Sequence, residues 1–311
     1  MVRKKHGRKL DGWLILDKPR GITSTHAVNL VKRALDARKA GHGGTLDPLA
    51  TGVLPIALGT ATKTVPYVMD GTKRYCFTLR FGEARDTDDA EGAVIATSPH
   101  RPDNSEIEAA LPRFRGLVMQ RPPAFSAIKV EGERAYDLAR AGAPPDLPPR
   151  AARVNSFVLT GRPDADTAEF EVISGKGVYM RALARDLAVA CGTVGHIALL
   201  RRLRVGPFVE NMAVPLDRLL DPRHTPPALA EFLLPVETAL DDIPALAATA
   251  AEIHALSQGQ AISLVDLIGR IPPGADPEGG VVRVTAAGRV AALARLEQGW
   301  LKPERLLQHF S

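Results

Sequence analysis

The residues from Gly43 to Gly59, GGTLDPLATGVLPIALG, hold a single acid, Asp47, in an otherwise uncharged and largely apolar setting. Gly43 and Gly44 permit backbone with positive φ, and Pro48 biases Asp47 away from the helical region, so the carboxylate belongs on a fixed turn. The VLPIAL run that follows reads as a buried strand supporting that turn. Two uses of such an acid are open from these residues alone. One is an Asx turn, in which the carboxylate accepts from nearby backbone N–H groups; the other is a nucleophile or charge stabiliser in a dry pocket. Other side chains able to do chemistry carry plain alternatives as well. Tyr75 alternates with Phe77, Leu79 and Phe81 and reads first as a strand aromatic in the core. His42 reads as a loop histidine, Leu200 as core and Arg181 as a solvated helix cation. Lys18, in LDKP, is either a phosphate contact or an exposed turn residue.

Several chemistries are excluded by missing motifs. There is no G-x-x-x-x-G-K-[ST], no G-x-S-x-G, no H-E-x-x-H and no G-x-G-x-x-G opening a helix after a strand, so no cofactor is implied. The run Asp86 to Gly92, DTDDAEG, resembles the start of a calcium loop, but Glu91 stands where Gly is required and no Glu follows at the twelfth position. It reads as a solvated acidic loop and not as a metal site. Cys76 and Cys191 are too few for a disulfide framework and show no metal-ligand spacing, which fits a reducing compartment. No apolar run reaches eighteen residues and MVRKKHGRKL lacks the apolar region of a signal peptide, so a cytoplasmic protein without a membrane partner is expected. The net charge of +5 suggests a polyanionic partner. Arg3, Lys4, Lys5, Arg8 and Lys9 form a basic arm that reads as a solvated tail; Arg201, Arg202 and Arg204 form an internal cluster.

The elements that would position these groups are legible in outline. Residues 13–16 read as a strand, after which Ser24 or Thr25 caps a helix with Val28, Val31 and Leu35 on one face. A strand from Lys73 to Phe81 follows, then a capping box Ser105-x-x-Glu108 opening a short helix. A strand over 125–130, a turn at Glu131-Gly132 and a helix to Gly142 lead into the stiff connector 144–149. Strands over 154–160 and 168–173 precede a helix from about Tyr179 to Gly192. After the Pro-rich 221–227, a β-rich unit contains strands over 281–285 and 290–296 and the KPERLL segment.

Six ordered strings carry a resemblance. Besides the Asp47 segment with His42 before it, they are GWLILDKPRGITST (12–25), KRY (73–75), RPPAFSAIKVEGERAYDLAR (121–140), KGVYMRALARDL (176–187) and GHIALLRRLRVG (195–206). Together they resemble the pseudouridine synthases of the tRNA pseudouridine synthase B family over about residues 12–220. The chain departs from that family at Phe125, where a Tyr is usual, and at Val178, where a Thr is usual. The resemblance implies an α+β fold: a basic arm (1–11), a mixed catalytic domain (12–240) and a small β-rich, PUA-like RNA-binding domain (241–311). It implies that Asp47 is the nucleophile, that Arg181 is its ion-pair partner and that Tyr75 stacks on the target base. His42 contacts the RNA around the vacated site, Tyr179 and Leu200 line the substrate site, Lys18 is a phosphate-contact candidate, and Asp89 lies near the active site. Beside such a motif, Arg201, Arg202 and Arg204 become candidates for phosphate contacts.

Pseudouridine formation breaks the C1′–N1 bond of uridine, turns the base over and joins C5 to C1′, with no atoms gained or lost. It needs no redox cofactor, but it needs a nucleophile or electrostatic stabiliser at the sugar or base, which one carboxylate in a dry pocket supplies, and the exclusion of water. The expected activity is isomerisation of uridine 55 in the T-loop of tRNA by a monomer that requires no protein partner. The alternatives are a non-catalytic tRNA-binding or folding module and a subunit of a guide-RNA-directed synthase.

Overall fold

The computed structural model describes residues 7–307 apart from 127, 131, 144, 222, 224 and 287, so Arg3, Lys4 and Lys5 of the basic arm lie outside the described residues. A ten-stranded mixed sheet forms its backbone. Eight of its strands run in the spatial order Val214–Pro215, Gly12–Lys18, Thr51–Leu58, Gly195–Val205, Lys73–Phe81, Thr167–Ser174, Arg150–Gly161 and Gly116–Gln120; Ala40–His42 and Phe208–Val209 add to its margins.

The central strands read as continuous apolar runs because this part of the sheet is covered on both faces. In Gly12–Lys18, Leu14 and Leu16 join a front core with Phe77, Phe170 and the Met180–Ala190 helix, whereas Trp13 and Ile15 join a core on the back. The pairing of Thr51–Leu58 with Gly195–Val205 is parallel and short, matching Arg202 to Gly52. Gly52 has φ +96°, and a Cβ there would stand 2.3 Å from the Arg202 carbonyl oxygen, so only glycine allows the two strands to meet.

Local signals were displaced by a residue or two where tertiary contacts compete. The Ser24–Ala34 helix is capped by Thr23, whose hydroxyl accepts from His26 N at 3.1 Å, and not by Ser24 or Thr25. Ser24 Oγ is instead buried against the Asp47 turn. The Asn104–Ala110 helix opens with a capping box of Asp103 and Glu106, two residues ahead of the expected Ser105 and Glu108. That start places Ile107 and Ala110 in the core. The expected strand over 125–130 shrinks to Lys129–Val130, paired with Glu133–Arg134, because the Ser126 carbonyl accepts from Tyr136 N and leaves the ladder. The Ala135–Arg140 helix follows.

The C-terminal residues form a separate five-stranded sheet in the order Ala245–Ala247, Val281–Ala286, Arg289–Glu297, Trp300–Leu306, Ile262–Ser263. Val290, Leu293 and Leu307 bury against Trp13, Val53 and Phe208 on the back of the main sheet, each contributing roughly 1.5–3 kcal/mol. Two polar contacts lock the join: Lys63 Nζ donates to Leu306 O at 3.1 Å, and Tyr67 donates to Glu304 at 3.0 Å. Burial and the Glu304 carboxylate push the Tyr67 phenol up to about 12. The chain thus has the α+β architecture with a small β-rich C-terminal unit. Among the described residues no helix is long and apolar enough to cross a membrane.

Candidate active site

The turn that carries Asp47 is fastened on every side. Ser24 Oγ accepts from Leu46 N at 2.8 Å and donates to Leu46 O at 2.9 Å. Gly21 N donates to Pro48 O at 2.8 Å, and Gly43 N to Pro55 O at 2.8 Å. Arg202 donates to Gly44 O at 3.1 Å and Thr45 O at 3.2 Å from the next strand. Among the described residues no backbone N–H donates to the Asp47 carboxylate, so no Asx turn is formed there. Its oxygen Oδ2 lies 2.9 Å from Arg181 Nε, with the arginine side chain 6% exposed and the aspartate 36%.

Arg181 sits at the start of the Met180–Ala190 helix and is held by acceptors from three segments. Its Nη1 donates to Thr87 O at 2.9 Å and its Nη2 to Phe125 O at 2.8 Å, while Asp89 Oδ2 lies 3.8 Å from Nε. Asp89 is buried, and its Oδ1 accepts from Thr87 Oγ1 at 2.6 Å and from Glu91 N at 3.0 Å. The expected solvated loop is therefore built into the protein at Asp88 and Asp89, Asp88 pairing with Arg185 at 2.8 Å. The buried guanidinium faces the half-exposed carboxylate as an ion pair and so fixes its direction. Among the described residues no group of His, Cys, Asp and Glu side chains is placed to hold a metal ion.

The Asp47–Arg181 pair is a wall shared by two cavities. The one of about 310 Å³ is lined by Tyr75, Ser126, Tyr179 and Leu200 and is of the size of a small-ligand site. The other, about 280 Å³, is lined by Asp86, Asp89, Glu91 and Tyr136. Tyr179 is placed by Gln120, whose side chain accepts from Tyr179 N at 2.8 Å and donates to Tyr179 O at 3.0 Å. Tyr75 is brought to the cavity by its strand, and its hydroxyl interacts with Arg202.

Two expectations are corrected. Lys18 is neither a phosphate contact nor an exposed turn residue: it is 0% exposed, and its Nζ donates to Pro19 O, Ile22 O and Pro48 O at 2.9, 2.8 and 3.3 Å. Burial lowers its ammonium to about 8 against the opposing pull of Asp47 and Glu91. Within the internal basic cluster, Arg202 is not placed to meet a phosphate either. Arg202 is 1% exposed, Arg201 is forked onto Asp17 at 2.9 and 3.1 Å and reaches Glu210 at 2.7 Å, and Arg204 donates to Gly206 O. His42 lies at the end of the Ala40–His42 strand, outside the lining of the two cavities.

Sequence reasoning passed over Ser126, Gln120 and Lys73. Lys73 lines the larger cavity, and its Nζ donates to Met69 O and Gly71 O. Burial lowers it to about 8. The strings RPPAFSAIK and KRY contain two of them, yet nothing local marks a serine or lysine as inward-facing.

Two histidines give the fold a pH dependence. His42 and His196 are both shifted below the ordinary value of 6.5, mainly by burial, with Arg202 adding to the effect at His42. His196 Nδ1 lies 2.8 Å from Glu83 O. Because the folded chain holds both rings neutral, their contribution is complete above about pH 6.5 and is lost as the pH falls from there through the lower folded values. Thermal melts from pH 7.5 to 5.5 are expected to fall progressively, and His196→Gln to fall less; a flat profile would refute this assignment.

Residues 32–180 of the chain match the N-terminal domain of the TruB family pseudouridylate synthases, and residues 181–241 match the tRNA pseudouridylate synthase B C-terminal domain. In structure the chain is similar to a chain of the crystallised Cbf5–Nop10–Gar1 complex, with TM-score 0.71 and 25% identity over 96% of this chain and 85% of that one. Fold and site thus define an enzyme of the pseudouridine synthase class, an isomerase. It is 67% identical over 306 residues to the tRNA pseudouridine synthase B of Gluconacetobacter diazotrophicus, covering 98% of this chain and 100% of that one. It is 52% identical over 307 residues to the Rhodospirillum rubrum protein of the same name, covering 99% of each. The chain belongs to the TruB family.

Proposed function

We propose that this enzyme converts uridine 55 in the T-loop of tRNA to pseudouridine, as a cytoplasmic monomer needing neither cofactor, guide RNA nor protein partner. The observation that carries the reading is the Asp47 carboxylate, held 2.9 Å from buried Arg181 at the edge of a cavity lined by Tyr75, Tyr179 and Leu200. The names of the curated relatives support tRNA as the substrate.

A stacked base cannot reach Asp47, so the target nucleotide is flipped into the larger cavity at a cost of a few kcal/mol. Tyr75 stacks on the flipped base, which returns part of that cost. Tyr179 and Leu200 bound the space and exclude water. Asp47 acts as the nucleophile while the glycosidic bond is broken and the base is detached, and Arg181 holds it aimed, with Asp89 behind Arg181. His42, outside the cavity, meets the RNA stack around the vacated position. Residues 12–240 act as the catalytic domain and residues 241–311 as a PUA-like RNA-binding domain. A purely tRNA-binding or folding module has no use for an ion-paired acid at a cavity wall.

The test is carbodiimide mapping of pseudouridine in a tRNA transcript incubated with purified protein alone. The expected result is one new pseudouridine, at position 55. No modification would overturn the catalytic reading; modification elsewhere, or only with an added guide RNA, would overturn the target or the stand-alone form.

A further inference from the structure

Ser126 lines the larger cavity beside Asp47, Tyr75 and Tyr179 and is 4% exposed. Its Oγ is buried and makes no hydrogen bond of ordinary geometry among the described residues, although the Tyr179 phenol interacts with it. A buried hydroxyl left unpaired costs about 1–3 kcal/mol, so its place at a ligand cavity has to be explained by something that enters. The segment that carries the hydroxyl is also well held. Ser126 N donates to Ala124 O and Ser126 O accepts from Tyr136 N, each at 3.0 Å. The adjoining Phe125 carbonyl accepts from Arg181 Nη2 at 2.8 Å, so the segment bearing Ser126 is bolted to the cation that orients Asp47.

We propose that the Ser126 hydroxyl holds the polar edge of the target uracil and keeps hold of it while the detached base turns over. This rests on the pseudouridine synthase reading above. Turning uracil about the axis through N3 and C6 exchanges N1 with C5 and O2 with O4, and leaves the N3–H in place. A group facing that edge therefore meets the same pattern, one N–H flanked by two carbonyl oxygens, before and after the turn. Serine suits the task because its hydroxyl both donates and accepts and rotates freely about one bond. It can donate to O4 of the substrate and to O2 of the product from a single position. An apolar wall would let the detached base lose its orientation at the step where no covalent bond to C1′ holds it.

The experiment compares wild type, Ser126→Ala and Ser126→Cys in single-turnover pseudouridine formation, with RNA carrying uridine, 4-thiouridine or 2-thiouridine at the target, alongside tRNA binding and thermal melts. Ser126→Ala is expected to slow turnover about 10-fold, the worth of one hydrogen bond to a substrate edge. Binding should stay within about 2-fold and the melt unchanged or raised, because no hydrogen bond of ordinary geometry within the protein is lost. Ser126→Cys, a weak donor, should fall between. Sulfur accepts poorly, so thio substitution should slow wild type and should matter much less in Ser126→Ala, as interacting partners do in a cycle. Turnover of Ser126→Ala within 2-fold of wild type, an undiminished thio penalty in that variant, or a melt lowered by more than about 5 °C would each overturn the proposal. Failure of wild type to make pseudouridine at all would instead overturn the parent reading.

Discussion

Asp47→Asn should give a folded protein that binds tRNA and makes no detectable pseudouridine, a loss of at least ~10⁴-fold in single-turnover rate. The amide is nearly isosteric and leaves the turn intact, because Leu46, Gly44, Thr45 and Pro48 are fastened through their backbone and not through the Asp47 side chain. Arg181 keeps Thr87 O, Phe125 O and the nearby Asp89, so the buried guanidinium is not stranded. The melt should accordingly move little. Asp47→Glu should fail as well, since one methylene displaces the carboxylate by on the order of 1 Å. The measurement is turnover with enzyme in excess, paired with a melt and a tRNA-binding curve. Substantial turnover by the asparagine variant would remove Asp47 from the chemistry.

Arg202→Met should produce the largest loss of stability. The methionine fills the space of the stem, but the carbonyls of Val53, Thr45 and Gly44 each lose a donor, at about 1–3 kcal/mol apiece when buried. A total of ~3 kcal/mol or more corresponds to a melt lowered by roughly 6–12 °C in a domain of this size. Activity should fall with it, because two of those carbonyls lie directly before Asp47. Arg201→Gln and Arg204→Gln, with side chains 34% and 44% exposed, should each cost no more than about 1 kcal/mol. The salt dependence of tRNA binding should be unchanged by Arg202→Met. A stable variant with a shallower salt slope would return Arg202 to the RNA surface.

Arg202 also shows where reading the sequence stops. The turn at Asp47, the strand after it, the aromatic strand through Tyr75 and the helix opening near Tyr179 were legible because each is specified by neighbours within a few residues: glycine, proline, period-two apolarity, a helical face. Whether a charged residue lies inside depends on acceptors that are distant in the chain. Three arginines in LLRRLRV look like a basic stripe, yet the partners of Arg202 are the Gly44 and Val53 carbonyls, 158 and 149 residues away. Lys18 is a mixed case: Pro19 O and Ile22 O are local acceptors, and Pro48 O, 30 residues on, closes the set. Asp88 in an acidic run became an inner ion pair because Arg185 arrives from 97 residues later. Shifts of helix starts have a local cause instead: Asp103 and Thr23 were competent caps, and packing of the adjoining face chose between them and their neighbours.

The span between Gly44 and Arg202 has a kinetic consequence. A site whose halves are joined by contacts this distant in sequence cannot form early in folding, since the entropy of closing the loop is lost before the contacts repay it. On the ribosome, the Asp47 turn leaves the tunnel first and has no Arg181 to face until the Met180–Ala190 helix is made, and no Arg202 beneath it until the next strand follows. The nascent chain therefore carries its reactive acid for about half of its synthesis without the surroundings that give it a task, and competence arrives only when the strand bearing Arg202 docks.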